Sequence, residues 1–272
     1  MLPGLEKKTG PDVLRGPWFQ YHDAVGFEWN TYRVALPNLP GELSGLRIIH
    51  LSDLHCQPHW QTAYDELIDR LRADVPDLIL ITGDIVDYEK RPWQCVPTAR
   101  RFLRQLHAKH GVFGILGNHD FHLRRSALDD TPLQLIDGRR LVVPVRGRTV
   151  ELIAPPGPLR EHYPRGFEKR FPEKQTGVPR IILSHYPDHI RRMKRMRPDV
   201  FLAGHTHGGQ ACLPGGIAIL RHDSLPLKLL KGAHRLHGAW YFVNRGFGFS
   251  TMNFRVFCPS EVIEIRLGAS SM

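Results

Sequence analysis

The chain has 272 residues, 42% hydrophobic and 24% charged, which is enough apolar content for a sizeable core and leaves no low-complexity tract to argue for disorder. Its formal charge of +10 at neutral pH favours anionic partners such as nucleic acid, phospholipid headgroups or phosphorylated metabolites. No apolar run approaches the roughly 20 residues of a membrane-spanning helix, and Cys56, Cys95, Cys212 and Cys258 form neither a CxxC pair nor a disulfide framework.

The opening MLPGLEKKTGPDVLRG places charges, Pro and Gly where a secretory leader needs an apolar stretch, so a soluble, cytoplasmic protein is expected. Phe27 and Trp29 alternate, then Tyr32, Val34 and Leu36 take the opposite phase, which predicts an edge strand with a bulge. Residues 47–52 (RIIHLS) read as a buried strand ending at Asp53. A helix is expected over 62–73, with Tyr64, Leu67, Ile68 and Leu71 on one face, Thr62 as N-cap, and Asp65 and Glu66 at the positive end of the dipole. A second strand, 77–82 (DLILIT), stops at Gly83-Asp84. A helix over 98–109 buries Phe102, Leu103 and Leu106. A third strand, 112–116, runs into Gly117-Asn118-His119-Asp120. Strands alternating with helices indicate βαβ units and a largely parallel sheet.

A strand over 150–153 leads to the loop at 155–158. Residues 180–184 lead into His185 and 199–203 into Gly204-His205-Thr206-His207. Between them, Pro187 and Asp188 open and Pro198 closes a basic helix (HIRRMKRMR), with Ile190, Met193 and Met196 inward and Arg191, Arg192, Lys194 and Arg195 in water. That face is read as solvated, with a docking patch for phosphate backbones or an anionic bilayer as the alternative. The loop 160–171 mixes cations with Tyr163, Phe167 and Phe171, and 225–230 (LPLKLL) is unusually apolar. After a loop at 214–216, residues 240–243 and the alternation of Ile263, Ile265 and Leu267 with Glu264 and Arg266 read as strands, the last with one wet face. One domain over 1–272 is expected, with the polar motifs within 47–210 and a β-rich portion over 211–267.

Five apolar runs therefore end in groups able to bind metal: Asp53-x-His55, Asp84, Asn118-His119, His185 and His205-x-His207. Ligands of α/β sheets bind beyond the carboxyl ends of the strands, so these motifs can converge in space. Several imidazoles, two carboxylates and an amide oxygen exceed the needs of one tetrahedral ion. The absence of a cysteine pair argues against a closed structural zinc site. Such donors suit Mn²⁺, Fe²⁺ or Zn²⁺ with room for water. Two ions sharing a carboxylate clamp an in-line displacement at phosphorus and lower the pKa of a bridging water. Asp84, after a glycine at the end of the most apolar strand, is the candidate shared ligand. His50 reads as a satisfied core residue; His59, His122, His189, His222, His234 and His237 read as surface or loop residues, of which His122 and His234 could approach a substrate. Cys56 reads as packing.

In order and spacing, Asp53-x-His55, Gly83-Asp84, Gly117-Asn118-His119-Asp120, His185 and Gly204-His205-Thr206-His207 resemble the calcineurin-like metallophosphoesterases. The extension Gly208-Gly209-Gln210 and Asn244-Arg245-Gly246 look like the bacterial YaeI/YkuE-type phosphodiesterase branch. The resemblance implies an α/β fold of two mixed β-sheets in a sandwich flanked by helices. It implies one metal on Asp53, His55, Asp84 and His207, and a second on Asp84, Asn118, His185 and His205. His119 would protonate the leaving oxygen or steady the transition-state charge, with Asp120 orienting it. Gly208 and Gly209 would let the backbone pass close to the metals. The chain departs from the branch at Ala154-Pro-Pro-Gly-Pro, where an acidic segment is expected, and the export or anchoring segment of some relatives is not expected here.

The expected activity is phosphodiester or pyrophosphate hydrolysis by a metal-bridging hydroxide. A narrower version has a UDP-diacylglucosamine-type lipid precursor as substrate, and another class is a non-catalytic scaffold of the same fold. The expected partners are a phosphate-ester substrate and, peripherally, an anionic membrane surface; nucleic acid rests on net charge alone and is disfavoured.

Overall fold

The computed structural model describes residues 2–9, 15–87, 92–157, 163–219 and 225–269; His222 and residues 160–162 of the basic loop lie outside them. The strands and helices in chain order are β1 (Leu5–Lys7), β2 (Phe19–Tyr21), β3 (Glu28–Leu36), β4 (Arg47–Leu51), α1 (Thr62–Ala73), β5 (Leu78–Thr82), α2 (Pro92–Leu103), β6 (Val112–Ile115), β7 (Leu133–Leu135), β8 (Arg140–Val145), β9 (Arg148–Ile153), β10 (Arg180–Leu183), α3 (Ile190–Met193), β11 (Val200–Ala203), β12 (Cys212–Leu213), β13 (Ile217–Ala218), β14 (Gly232–Leu236), β15 (Ala239–Val243), β16 (Phe254–Val256) and β17 (Glu261–Ala269). They build a seven-stranded sheet of order β1-β3-β17-β4-β5-β6-β7 and a six-stranded sheet of order β14-β15-β11-β10-β9-β8, with two small ribbons, β12-β13 and β16-β2. Both large sheets are mixed: β4, β5, β6 and β7 run parallel, as do β9, β10, β11 and β15, with antiparallel neighbours at their flanks.

The expected architecture of two mixed sheets flanked by helices is therefore present. Strands buried on both faces read as continuous apolar runs, and β4, β5, β6, β10, β11 and β15 are buried along their whole length. One core lies between the sheets, where Ile48, Leu80, Ile181, Leu202, Phe242 and Ile265 meet. A second holds α1 and α2 against the outer face of the seven-stranded sheet through Tyr64, Leu67, Phe102 and Leu103.

Several local expectations are corrected. Strand β3 carries no bulge and is not an edge: it pairs one-to-one with β17 from Glu28↔Glu261 to Leu36↔Ala269 and with β1 on its other side. The two phases are two buried faces, since Phe27 and Trp29 join the helix-side core while Tyr32, Val34 and Leu36 join the inter-sheet core. Strand β17 is central, so its second face is covered at Glu264, while the Arg266 side chain near its end stays partly exposed. Buried Glu264 accepts from Arg47 Nε and Trp29 Nε1, each at 2.9 Å. Helix α1 has its expected bounds, but Gln61 is the N-cap residue and Asp23 supplies the acceptor, taking the Thr62 and Ala63 amides at 2.7 and 3.1 Å. Helix α2 starts before Pro97, which it contains, and stops at Leu103. The expected range, 98–109, thus begins six residues late and ends six residues late, and the helix tolerates Pro97 although a proline lacks the amide that a helix interior needs. The basic segment has Ile190, Met193 and Met196 inward as expected, but it is only one α-turn between 3₁₀ turns.

Candidate metal centre

Parallel strands of both sheets deliver their next residues to the same edge of the sandwich. Asp53 and His55 follow β4, Asp84 follows β5, Asn118 follows β6, His185 follows β10, and His205 and His207 follow β11. The sheet edges interlock through the backbone: Asp53 N–H donates to Gly83 O, His55 N–H to Asp84 O, and His205 N–H to the Asp53 carboxylate at 3.0 and 3.1 Å. Glycine is required where the loops touch. A Cβ on Gly117 would lie 2.2 Å from Asp84 Oδ1, and one on Gly204 would lie 1.8 Å from Ser52 Oγ.

Asp53, His55, Asp84, His205 and His207 all have positive φ, between 40° and 68°. The left-handed region costs an L-residue roughly 1–2 kcal/mol. Such outliers cluster where surrounding structure holds a functional geometry, and here five of the sequence-predicted residues share it.

The side chains form two clusters joined by Asp84. In the first, His55 Nε2 and His207 Nε2 are 3.1 Å apart, and His207 Nε2 is 3.4 Å from Asp53 Oδ1. In the second, Asn118 Oδ1 lies 2.9 Å from His185 Nε2 and 3.0 Å from His205 Nδ1, and the two imidazole nitrogens are 3.2 Å apart. Asp84 Oδ2 stands between, 3.6 Å from His55 Nε2 and 3.3 Å from His185 Nε2. Donor atoms of Asp53, His55 and His207, and those of Asp84, His185 and His205, group within 4.8 Å of one another; His119 joins His55 and Asp84 in a third group.

Electrostatics fits two cations. Burial pushes the Asp53 carboxyl up to about 6, reinforced by Asp84 though opposed by His185. Burial also works on Asp84, but His185, His55 and His119 hold it well below the usual carboxylate range. Burial lowers His55 to about 4 and takes His207 well below its ordinary value, so both rings are neutral with lone pairs turned to one point. Burial opposes protonation of His185 too, yet Asp84 and Asp53 raise it to about 9. Convergent lone pairs and two buried carboxylates at one point are a donor set that divalent ions would satisfy.

His119 lies at the rim. Its backbone N–H donates to Asp84 Oδ1 at 2.8 Å, and its Nδ1 is 3.8 Å from Asp87 Oδ1. Asp120 does not orient it. The Asp120 carboxylate accepts the Ile85, Val86 and Gly117 amides at 2.9–3.0 Å and thereby holds the Asp84 loop against the Asn118 turn. Burial and the nearby Asp84 raise Asp120 to about 7. The acid facing His119 is Asp87, itself held by Gln57 Nε2 at 2.8 Å. Burial works against protonation of His119, but Asp87 and Asp84 outweigh it and raise the imidazole. Sequence reading missed Asp87; its signal was the spacing Gly83-Asp84-x-x-Asp87, which carries a second acid around the same turn.

Among the other histidines, His50 is buried with Nε2 2.8 Å from Thr82 Oγ1, and His59, His122 and His237 are exposed. His189 was expected at the surface but is buried, with Nδ1 3.0 Å from Ser184 Oγ. A cavity of about 280 Å³ opens over the centre, lined by Asp84, Asn118, His119, His205, His207, Gln210, Ser250, Thr251 and Met252; His122 and His234 are not among its walls. Gly208 and Gly209 do adopt positive φ, but a Cβ on Gly208 would meet Arg245 and Cys258 rather than the metal side. Behind His207, buried Arg255 donates to the carbonyls of Gly248, Arg245 and Cys258. Asn244 Nδ2 donates to His50 O, and Arg245 pairs with Glu28 and Glu261.

Paired His/carboxylate clusters around one shared aspartate, at the meeting edge of two mixed sheets, define a metal-dependent hydrolase with a dinuclear centre. The chain belongs to the calcineurin-like phosphoesterase family, whose profile matches residues 46–209. It is 27% identical over 225 residues to the uncharacterized metallophosphoesterase YkoQ of Bacillus subtilis, covering 80% of this chain and 82% of that protein. It is 29% identical over 265 residues to the UDP-2,3-diacylglucosamine pyrophosphatase LpxG of Chlamydia trachomatis, covering 74% and 77%. A Bos taurus transmembrane protein with metallophosphoesterase domain is 28% identical over 204 residues, covering 66% of this chain and 44% of that protein.

Proposed function

We propose that the chain hydrolyses phosphodiester or pyrophosphate bonds, in the manner of the YaeI/YkuE-type branch. The observation that carries this reading is Asp84 Oδ2, set between His55 Nε2 at 3.6 Å and His185 Nε2 at 3.3 Å with a donor cluster on either side. Asp53, His55, Asp84 and His207 would hold one divalent ion, and Asp84, Asn118, His185 and His205 the other, with Mn²⁺, Fe²⁺ and Zn²⁺ all compatible with the donors. When bound, the ions supply positive charge to the phosphoryl oxygens and acidify water.

The chain's own residues do the rest. His119, at the cavity rim and with its protonated form favoured by Asp87 and Asp84 against burial, donates a proton to the leaving oxygen. Asp87 sets the ring and its charge; Asp120 holds the loop that carries Asp84. Asn118 and His205, half-exposed, face the cavity through which a phosphate ester enters.

A narrower reading, a nucleotide-linked lipid such as UDP-diacylglucosamine, is favoured by the likeness to LpxG over 74% of the chain. The partner classes are a phosphate-ester substrate and an anionic membrane surface, in a cytoplasmic protein, with nucleic acid disfavoured. With Mn²⁺ added, purified protein should hydrolyse bis-p-nitrophenyl phosphate. Asp84→Ala should lose several kcal/mol of transition-state stabilisation, at least about a thousandfold in rate. Wild-type protein inert with Mn²⁺, Fe²⁺ and Zn²⁺ would refute the reading and favour a scaffold. Activity on cyclic nucleotides without cleavage of the lipid in detergent would remove the narrower version alone.

A further inference from the structure

The outer face of the six-stranded sheet is covered mainly by short turns and loops. Tyr163 and Phe167, Ile190, Met193 and Met196, and Leu225 and Leu230 pack over it as one cluster, and Ala218 and Leu229 close its margin. The outward side of this cover has two characters. One is cationic: Arg165, Arg191, Arg192, Lys194 and Arg195 line an open cleft of about 950 Å³ beside Tyr163, with Glu168 as the acid in its wall. The Arg192 guanidinium lies 5.4 Å from the Tyr163 ring, and none of the five cations has an ion-pair partner among the described residues. The other is apolar: Leu213, Ile217 and Ile219 on and beside the β12-β13 ribbon are 52%, 58% and 60% exposed, and Leu227 is 47% exposed. Lys228 stands next to Leu227.

We propose that this cover docks on an anionic lipid bilayer. Large exposed aliphatic groups gathered in one region mark a contact surface rather than a solvated one. Cations and exposed aliphatic side chains carried by the segments of one cover suit the headgroup layer, where the cations meet lipid phosphates and the aliphatic groups enter the acyl boundary. The apolar part separates this occupant from others with the same charge. A nucleic acid would neutralise the arginines but leave Ile217, Ile219, Leu213 and Leu227 in water. A second copy of the chain meeting the same face would set the cationic cleft against its own charge. Strand β12 begins two residues after Gln210, in the wall of the metal cavity, so docking brings the cavity mouth beside the lipid headgroups. The metal centre would then act on phosphates presented at the membrane surface.

Docking does not depend on the phosphodiesterase reading, and it is measured without turnover, so each can fail alone. The test is co-flotation of the full chain with vesicles of phosphatidylcholine alone or with about 30% phosphatidylglycerol. Binding should need the anionic lipid and should be released as salt is raised from about 0.05 to 0.5 M. Replacing Arg191, Arg192, Lys194 and Arg195 together by Gln should weaken it at least about tenfold. The pair Ile217→Ser and Ile219→Ser should weaken it several-fold at unchanged charge. Both variants should keep wild-type hydrolysis of a small soluble substrate, which shows that they fold. The proposal is overturned if anionic vesicles are not bound, if both variants bind as wild type does, or if duplex oligonucleotides are retained while vesicles are not.

Discussion

The two halves of the metal centre share Asp84 but differ in exposure and in resting charge. Asp53, His55 and His207 are sealed, none more than 4% exposed, and their imidazoles are neutral. On the other side Asn118 and His205 are partly exposed, and Asp84 and Asp53 favour a proton on His185 that an entering ion would have to displace. The difference teaches a division of labour. A buried cluster with ready lone pairs would hold its ion tightly, whereas a more open cluster with a proton to lose would exchange its ion more readily.

The largest expected effect is that of His119→Asn, at the cavity rim beside His55 and Asp84. Loss of a positioned general acid costs about 10²–10⁴-fold, so kcat should fall by that range while metal content stays at the wild-type value. Loss of metal together with rate would make His119 a ligand instead.

The next test is pH. His185 is raised from 6.5 to about 9, so between those values an ion entering the open cluster must displace its proton. Affinity there should strengthen as pH rises, up to about tenfold per unit, and level off above about 9. The sealed cluster has His55 lowered to about 4 and Asp53 raised to about 6, so its affinity should be flat above about 6. Isothermal titration of metal-free protein across this range would show two steps with different pH slopes; parallel slopes would erase the contrast. Stability of the metal-free fold runs the other way. The His185 contribution to the metal-free fold is fully present below 6.5 and disappears as pH rises through about 9.

The smallest effect is expected for Asp87→Asn, about tenfold in kcat with metal retained. Because Asp87 raises the His119 imidazole, removing its charge should move the alkaline limb of the pH–rate profile downward. An unmoved limb would reduce Asp87 to a packing residue.

Much of the centre was legible because each residue sits next to an apolar run that the sequence displays openly. Local pattern placed Asp53, Asp84, Asn118, His185 and His205 at strand ends, and parallel strands leave their ends on one edge. What pattern could not read was made by contacts between distant segments. The cap of α1 comes from Asp23, the two faces of β3 are set by different cores, and Asp120 is taken up by amides around Ile85 and Gly117. Asp87 was hidden for the same reason: only the folded turn turns it toward His119. The first turns of α2 lay outside the expected range for a like reason: the burial of Cys95, Ala99 and Phe102 that holds the helix together across Pro97 is visible only in the fold.

The central claim is that one aspartate joins two ion sites of unlike exposure. It is tested most directly by metal stoichiometry of wild-type and Asp84→Ala protein after dialysis against Mn²⁺, read by elemental analysis. The account predicts two ions per wild-type chain, fewer in the variant, and a brief chelator treatment that removes one of the wild-type ions well before the other. A single wild-type ion, or an Asp84→Ala protein that keeps both, would contradict it.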